Sequence, residues 1–211
     1  MFDTTTITIP IGPVGLEGDL IVPDTATGIV VFAHGSGSSR MSPRNRRVAD
    51  ALRASERFGT LLFDLLTSEE DANYETRFNI GLLAGRLEAA TEWVRSQEAT
   101  RDLAVGYFGA STGAAAALVS ASTRSDIAVV VSRGGRPDLA GPALRGVTAP
   151  TLLIVGGADT QVLGMNRQAM LQMPRTVELQ IVPGATHLFE ESGALDQVAA
   201  LARGWFETWM P

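Results

Sequence analysis

Gly109-Ala110-Ser111-Thr112-Gly113 is a G-x-S-x-G pentapeptide, a spacing that suits a serine set on a sharp turn between a strand and a helix. Small flanking residues let the two elements pass closely, while the serine is forced into strained dihedrals. A serine hydroxyl at its free pKa is a poor nucleophile, so it needs a base, and the base needs a carboxylate to orient it. The chain has two histidines, His34 and His187. In this strand-turn-helix context the partners follow in the order serine, acid, histidine, which selects His187, in the loop Pro183-Gly184-Ala185-Thr186-His187. The acids between Ser111 and His187 are Asp126, Asp138, Asp159 and Glu178. Asp159 closes Ile154-Val155-Gly156-Gly157-Ala158-Asp159, at the carboxyl end of an apolar strand, where open sheets gather catalytic groups. Asp126 precedes a strand and Glu178 begins one, which puts both at the opposite rim, and Asp138 is the second choice. The expected catalytic residues are therefore Ser111 as nucleophile, His187 as general base and Asp159 as the acid that orients it.

Acyl transfer also needs donors for a developing oxyanion. Thr112 supplies one backbone N–H by its position after the nucleophile. The second is expected from His34-Gly35-Ser36-Gly37-Ser38-Ser39, with the Ser36 N–H favoured and Gly35 or Gly37 as neighbours that could serve instead. His34 is expected to pin this loop by a hydrogen bond. Gly35 is expected at the substrate, and Arg133 and Arg136, in Ser132-Arg133-Gly134-Gly135-Arg136, are candidates to clamp a carboxylate or phosphate, with a surface ion pair as the alternative. Met41, Leu65, Leu66 and Phe189 are candidates for the wall of an acyl pocket.

These residues must be positioned by a frame, and the chain supplies one. Short β-branched runs alternate with longer amphipathic segments, the pattern of βα units around a mostly parallel sheet. Strands are expected near 4–9, 16–22, 29–33, 60–63, 103–108, 127–131, 151–155 and 177–182, the first two as an antiparallel hairpin at one edge. Helices are expected near 43–55 with Ser42 as cap, near 80–96, from the Ser111 turn, near 162–173, and near 194–209 with Ser192 as cap. Connections are short and leave no space for a cap domain, so 1–211 reads as a single α/β domain with helices on both faces of about eight strands. With 211 residues and 45% hydrophobic content, such a chain can bury a core.

Composition narrows the function further. A net charge of −6 argues against nucleic acid, whose binding needs clustered Lys and Arg. The chain has no cysteine, which excludes disulfides, thiolate metal sites and a cysteine nucleophile. No basic and apolar leader opens it and no apolar run reaches the roughly 18 residues of a membrane span. A cytoplasmic protein without a membrane partner is expected.

Taken together, Ala33-His34-Gly35, Phe63-Asp64, the Ser111 pentapeptide, Gly156-Gly157-Ala158-Asp159 and Gly184-Ala185-Thr186-His187 resemble the dienelactone hydrolase-like branch of the α/β-hydrolases, over nearly the whole chain. The resemblance implies the α/β-hydrolase fold and hydrolysis of esters, lactones or related carbonyl compounds through an acyl-enzyme, with no metal and no organic cofactor. Two positions depart from the branch's pattern: Ser111 stands where the dienelactone enzymes carry cysteine, and Gly35 where they carry glutamate. Some small proteins similar to this one are joined to a phosphoribosyltransferase domain. The expected activity is a serine hydrolase of small to medium esters or lactones; the alternative is a small-molecule receptor on a hydrolase fold, or another triad reaction such as C–C hydrolysis or acyl transfer.

Overall fold

A computed structural model describes residues 5–173 and 176–210. The strands are β1 (Thr5–Ile11), β2 (Val14–Ile21), β3 (Gly28–Ala33), β4 (Phe58–Phe63), β5 (Ala104–Ala110), β6 (Ile127–Arg133), β7 (Thr151–Gly156) and β8 (Val177–Val182). The helices are α1 (Pro43–Arg53), α2 (Ser68–Asp71), α3 (Ile80–Ser96), α4 (Thr112–Thr123), α5 (Thr160–Met170) and α6 (Ala194–Trp209), with 3₁₀ turns at Thr76–Phe78 and Pro137–Gly146. All eight strands lie in one sheet, ordered β1-β2-β4-β3-β5-β6-β7-β8. β1 and β2 form the expected antiparallel hairpin at one edge, and from β4 to β8 every neighbouring pair is parallel. This is the α/β-hydrolase fold, with no cap domain among the described residues.

The interior strands are apolar along their length because both faces of the sheet are covered; β3, β4 and β7 are buried at every position, whereas β8, at the edge, is mostly half-exposed. Leu83 and Leu87 of α3, Ala117 of α4 and Leu144 pack on one face. Val48 and Leu52 of α1 pack with Val198 and Phe206 of α6 on the other. α1 starts as the sequence predicts, with Pro43 in its first turn and the Ser42 hydroxyl accepting from the Asn45 N–H at 3.3 Å. α6 starts differently: its cap is Gly193, at φ 76°, and no side chain caps it, so Ser192 does not have the expected role. β5 and β6 run two residues beyond the expected ends, because their pairing continues through Gly109 with Ser132 and Ala110 with Arg133.

The chain passes from β3 to β4 on one side and then to β5 on the other, so the connections leaving β3 and β5 diverge at the carboxyl edge. Such a reversal opens a crevice in which ligands of open α/β sheets bind. Its floor is the turn from β5 into α4. A methyl on Gly109 would lie 2.4 Å from Ala114 Cα, and one on Gly113 would lie 2.2 Å from the Ala33 carbonyl oxygen. Both glycines of the pentapeptide are thus required by contact, the first within the turn and the second against β3. Alanine at Gly113 is expected to cost about 3 kcal/mol or more, by overpacking against backbone that cannot retreat. Alanine at exposed Gly85, within α3 and with no atom within 4 Å of its added methyl, should add about 0.5 to 1 kcal/mol. Denaturant unfolding of the two variants checks both signs.

Candidate active site

Ser111 sits between β5 and α4 at φ 50° and ψ −119°, a left-handed conformation that costs a non-glycine residue energy and persists only when its surroundings over-determine it. They do so here: the Ser111 N–H donates to the Arg133 carbonyl at 3.2 Å, and the Ser111 carbonyl accepts from the N–H groups of Ala114 and Arg136, each at 3.1 Å. The nucleophile candidate is fixed on the backbone of β6 as well as on its own turn.

His187 lies in the loop between β8 and α6, with its Nδ1 at 2.7 Å from Asp159 Oδ2. A carboxylate only accepts, so the proton sits on Nδ1 and the Nε2 lone pair is left for another donor. Asp159 stands between β7 and α5, where the Gly156 carbonyl accepts its N–H at 3.0 Å. The loop is tied by Glu191, which accepts from the Thr186 N–H at 3.0 Å and the Thr186 hydroxyl at 2.6 Å; the hydroxyl, first, holds the Glu191 carboxyl below its usual range. A methyl built on Gly134 would be 3.6 Å from His187 Cε1. Ser111 and His187 therefore flank the Arg133-Gly134 backbone. The other acids are spent elsewhere: Asp126 with Arg124 and Asp138 with Arg136.

The loop after β3 meets the same turn from the opposite side. A methyl on Gly35 would lie 3.0 Å from Ser111 Cβ, so a side chain here would press on Ser111. The Ser36 N–H, expected to face an oxyanion directly, is instead donated to the Thr112 hydroxyl oxygen at 2.8 Å. His34 is buried and holds two loops: its Nε2 accepts the Leu65 N–H at 2.9 Å and its Nδ1 donates to the Gly35 carbonyl at 2.9 Å. Asp64 secures the far end of the β3 loop by accepting the Arg40 N–H at 2.7 Å.

The two arginines divide. Arg136 is held by a fork of hydrogen bonds to Asp138 at 2.9 and 2.7 Å, which is the surface ion pair weighed against an anion clamp. Arg133, the last residue of β6, is only 6% exposed and meets no acid among the described residues; its Nη2 donates to Asn45 Oδ1 at 3.2 Å and its cation lies over Phe189, 5.9 Å from the ring centre. Burial, and then the charge of Arg44, push it down to about 10.

Leu65 and Leu66 line a small cavity with Ser36, Thr112, Leu83 and Arg77, whereas Phe189 is buried beneath Arg133 and Met41 is exposed. Arg77 was not singled out from the sequence. It is gripped through the Asp71 carbonyl at 2.6 Å and carboxylate at 3.1 Å, and its Nη1 lies over Gly37. A lone arginine in a polar stretch carries no pattern that would reveal this.

A model of the Dienelactone hydrolase family matches residues 18–209. A Mycobacterium tuberculosis protein named "Putative phosphoribosyl transferase" is 59% identical over 196 residues, which is 92% of this chain and 44% of that protein. The chain thus spans less than half the length of the curated relatives it matches. A crystal structure of dienelactone hydrolase from Anabaena variabilis is 52% identical, covers 100% of this chain and 99% of its own, and superposes with a TM-score of 0.96. An esterase from Pyrococcus furiosus, 18% identical over 100% of this chain and 92% of its own, has a TM-score of 0.78 and shares the fold.

His34 yields a pH prediction. Burial above all holds its imidazole below the usual 6.5, although the Gly35 carbonyl and the charges of Asp64 and Asp71 act the other way. The unfolded chain then binds the proton more readily, so this group's contribution is intact above pH about 6.5 and is lost as pH falls below it. Unfolding free energy should decline as pH falls below about 6.5, and His34→Gln should flatten that decline, as measured by denaturant titration at each pH.

Proposed function

Because the chain belongs to the dienelactone hydrolase family, we propose that it is a serine hydrolase which cleaves carboxylic esters or lactones of small to medium size through an acyl-enzyme on Ser111. The observation that carries this reading is the Asp159–His187 hydrogen bond of 2.7 Å on the rim that holds a serine in a strained turn. His187 Nε2 takes the Ser111 hydroxyl proton as Oγ bonds to the ester carbon, then returns it to the alcohol oxygen as the C–O bond breaks. Water repeats the sequence on the acyl-enzyme and releases the acid. No metal or organic cofactor takes part in these steps.

The oxyanion is assigned to Thr112 twice over. As the first residue of α4 its N–H has no partner within the helix. Its hydroxyl accepts the Ser36 N–H, which orients the lone pairs and leaves the hydroxyl proton to donate into the cavity beside Ser111. Ser36 then acts through Thr112, and Gly35 keeps the space in front of Ser111 open to substrate. Without a carboxylate at Gly35 or a thiol that can ionise by itself, the serine depends on its base at every moment and is armed before substrate arrives.

Ser111→Ala and His187→Ala are expected to lower kcat for a short p-nitrophenyl ester by ~10⁴-fold, and Asp159→Asn by ~10³ to 10⁴-fold through the wrong imidazole tautomer. A fluorophosphonate should label the substrate-free protein at Ser111, located by mass spectrometry of the peptide. Labelling elsewhere while turnover persists would falsify the assignment. Thr112→Val should lower kcat by ~10²-fold with KM little changed, while Thr112→Ser retains activity; an unchanged or faster Val variant would show that the hydroxyl only occupies the Ser36 N–H.

A further inference from the structure

The sheet ends differently on its two sides. β1 carries Pro10 within the strand, and a proline lacks the N–H that a further strand would need, so that edge is blunted. β8 holds no proline and no basic residue, and its register with β7 runs without a bulge. The Thr151 N–H donates to the Thr176 carbonyl and the Gly157 N–H to the Val182 carbonyl, each at 2.8 Å. Even-numbered residues of β8 therefore turn their backbone groups towards β7. By the alternation of a strand, Val177, Leu179 and Ile181 turn theirs outward, where no strand among the described residues meets them. Such an edge is a template for another strand. Beside it α6 leaves a groove in which Leu201, Trp205 and Trp209 stand over Glu178 and Gln180. The two indoles are half-buried, with ring centres 5.8 Å apart. Their Nε1 atoms are covered, so what the rings show to solvent is carbon.

The strand that fits this edge is β8 itself. We propose that β8 pairs antiparallel with β8 of a second copy of the chain about a twofold axis at Leu179, which joins the two sheets into one. Opposite residues of antiparallel strands share a face, so the axis has to pass beside a residue, and the sequence Val177-Glu178-Leu179-Gln180-Ile181-Val182 selects which. With the axis at Leu179, the outward residues form the hydrogen-bonded pairs: Leu179 with Leu179, and Val177 with Ile181. Each then gives its N–H and its carbonyl to the other copy. Glu178 meets Gln180 of the second copy on the groove face, an acceptor opposite an amide donor; within one copy the same two side chains already make that hydrogen bond. An axis at Glu178 would oppose two carboxylates. An axis at Gln180 would set Val177 against Pro183, which has no N–H to give. A rotation normal to the sheet keeps each face on its own side, so the two α6 helices end up facing each other, groove to groove. The apolar edges of Trp205 and Trp209 would thereby be covered together with Leu201, a gain in buried apolar area added to the strand pairing. Ile181, 39% exposed on the other face, is covered by Val177 of the second copy.

Sedimentation velocity over a concentration series tests the pairing without reference to catalysis. The wild type should sediment as a dimer at micromolar concentration. Gln180→Glu sets like charges opposite each other twice per interface and should raise the dissociation constant by ~10-fold or more, whereas Gln180→Lys sets opposite charges there and should leave it unchanged or lower it. Gln180 is half-buried at the sheet edge, so both variants should keep the wild-type circular dichroism and a cooperative melt, which separates loss of the dimer from loss of the fold. Because the chain has no cysteine, a single thiol reports on the axis: Leu179→Cys should form a disulfide-linked dimer under mild oxidation, since the two Cα atoms of a hydrogen-bonded pair lie within disulfide reach. Thr6→Cys, on the blunted edge, should stay monomeric under the same conditions. A wild type that is monomeric at ~100 μM would overturn the proposal, because an interface of this kind is expected to hold well below that; it would leave the groove to another partner. A dimer that both Gln180 variants weaken, or that neither alters, would overturn it as well, by placing the axis or the interface elsewhere.

Discussion

The first turn of α4 passes so close to β3 that only hydrogen fits between Gly113 and the Ala33 carbonyl, and the geometry of the site follows from that contact. It forces the chain to leave β5 in a tight turn, which puts Ser111 at positive φ. The strain is tolerable because the Arg133 carbonyl and the Arg136 N–H hold both ends of the serine backbone, so Ser111 and the end of β6 form one rigid piece. Alanines 114 to 117 complete the arrangement, since all are fully buried and larger side chains would lift the helix from the sheet.

Around that piece, neutral hydrogen bonds place the loops. His34 is kept uncharged by burial, and a neutral ring can accept from Leu65 at one nitrogen while it donates to Gly35 at the other; a protonated ring could only donate. The same logic is used at His187 with the opposite neighbour. Its Nδ1 meets a carboxylate rather than a carbonyl, and its ring is partly open to solvent, whereas the ring of His34 is enclosed.

Charge distribution on the rim follows a rule of partners. Most arginines near the crevice are satisfied by local aspartates, which fixes loops and leaves little field for a ligand. Arg133 stands outside that rule, with an amide oxygen and an aromatic ring as its partners. A buried cation retained without a partner lowers stability, and such costs persist at sites where function needs the group. The family match over residues 18–209 places the chain among hydrolases.

The sequence by itself determined the candidate triad and the frame beneath it. Ser111, Asp159 and His187 follow from residue type, order along the chain and position at strand ends, and those are local properties. The ends of α3 and α6 and the β1–β2 hairpin were legible for the same reason, because periodicity and turn residues are written in neighbouring positions. Three things were decided only when the chain folded. Ser36 gave its N–H to Thr112, 76 positions away. Arg136 found Asp138, whereas Arg133 found an amide and an aromatic ring. Arg77 reached Gly37, in the loop after β3, from a turn with no motif of its own. Each is a competition among polar groups for partners, and its outcome depends on which groups the fold makes neighbours, a distance in space that residue spacing does not encode.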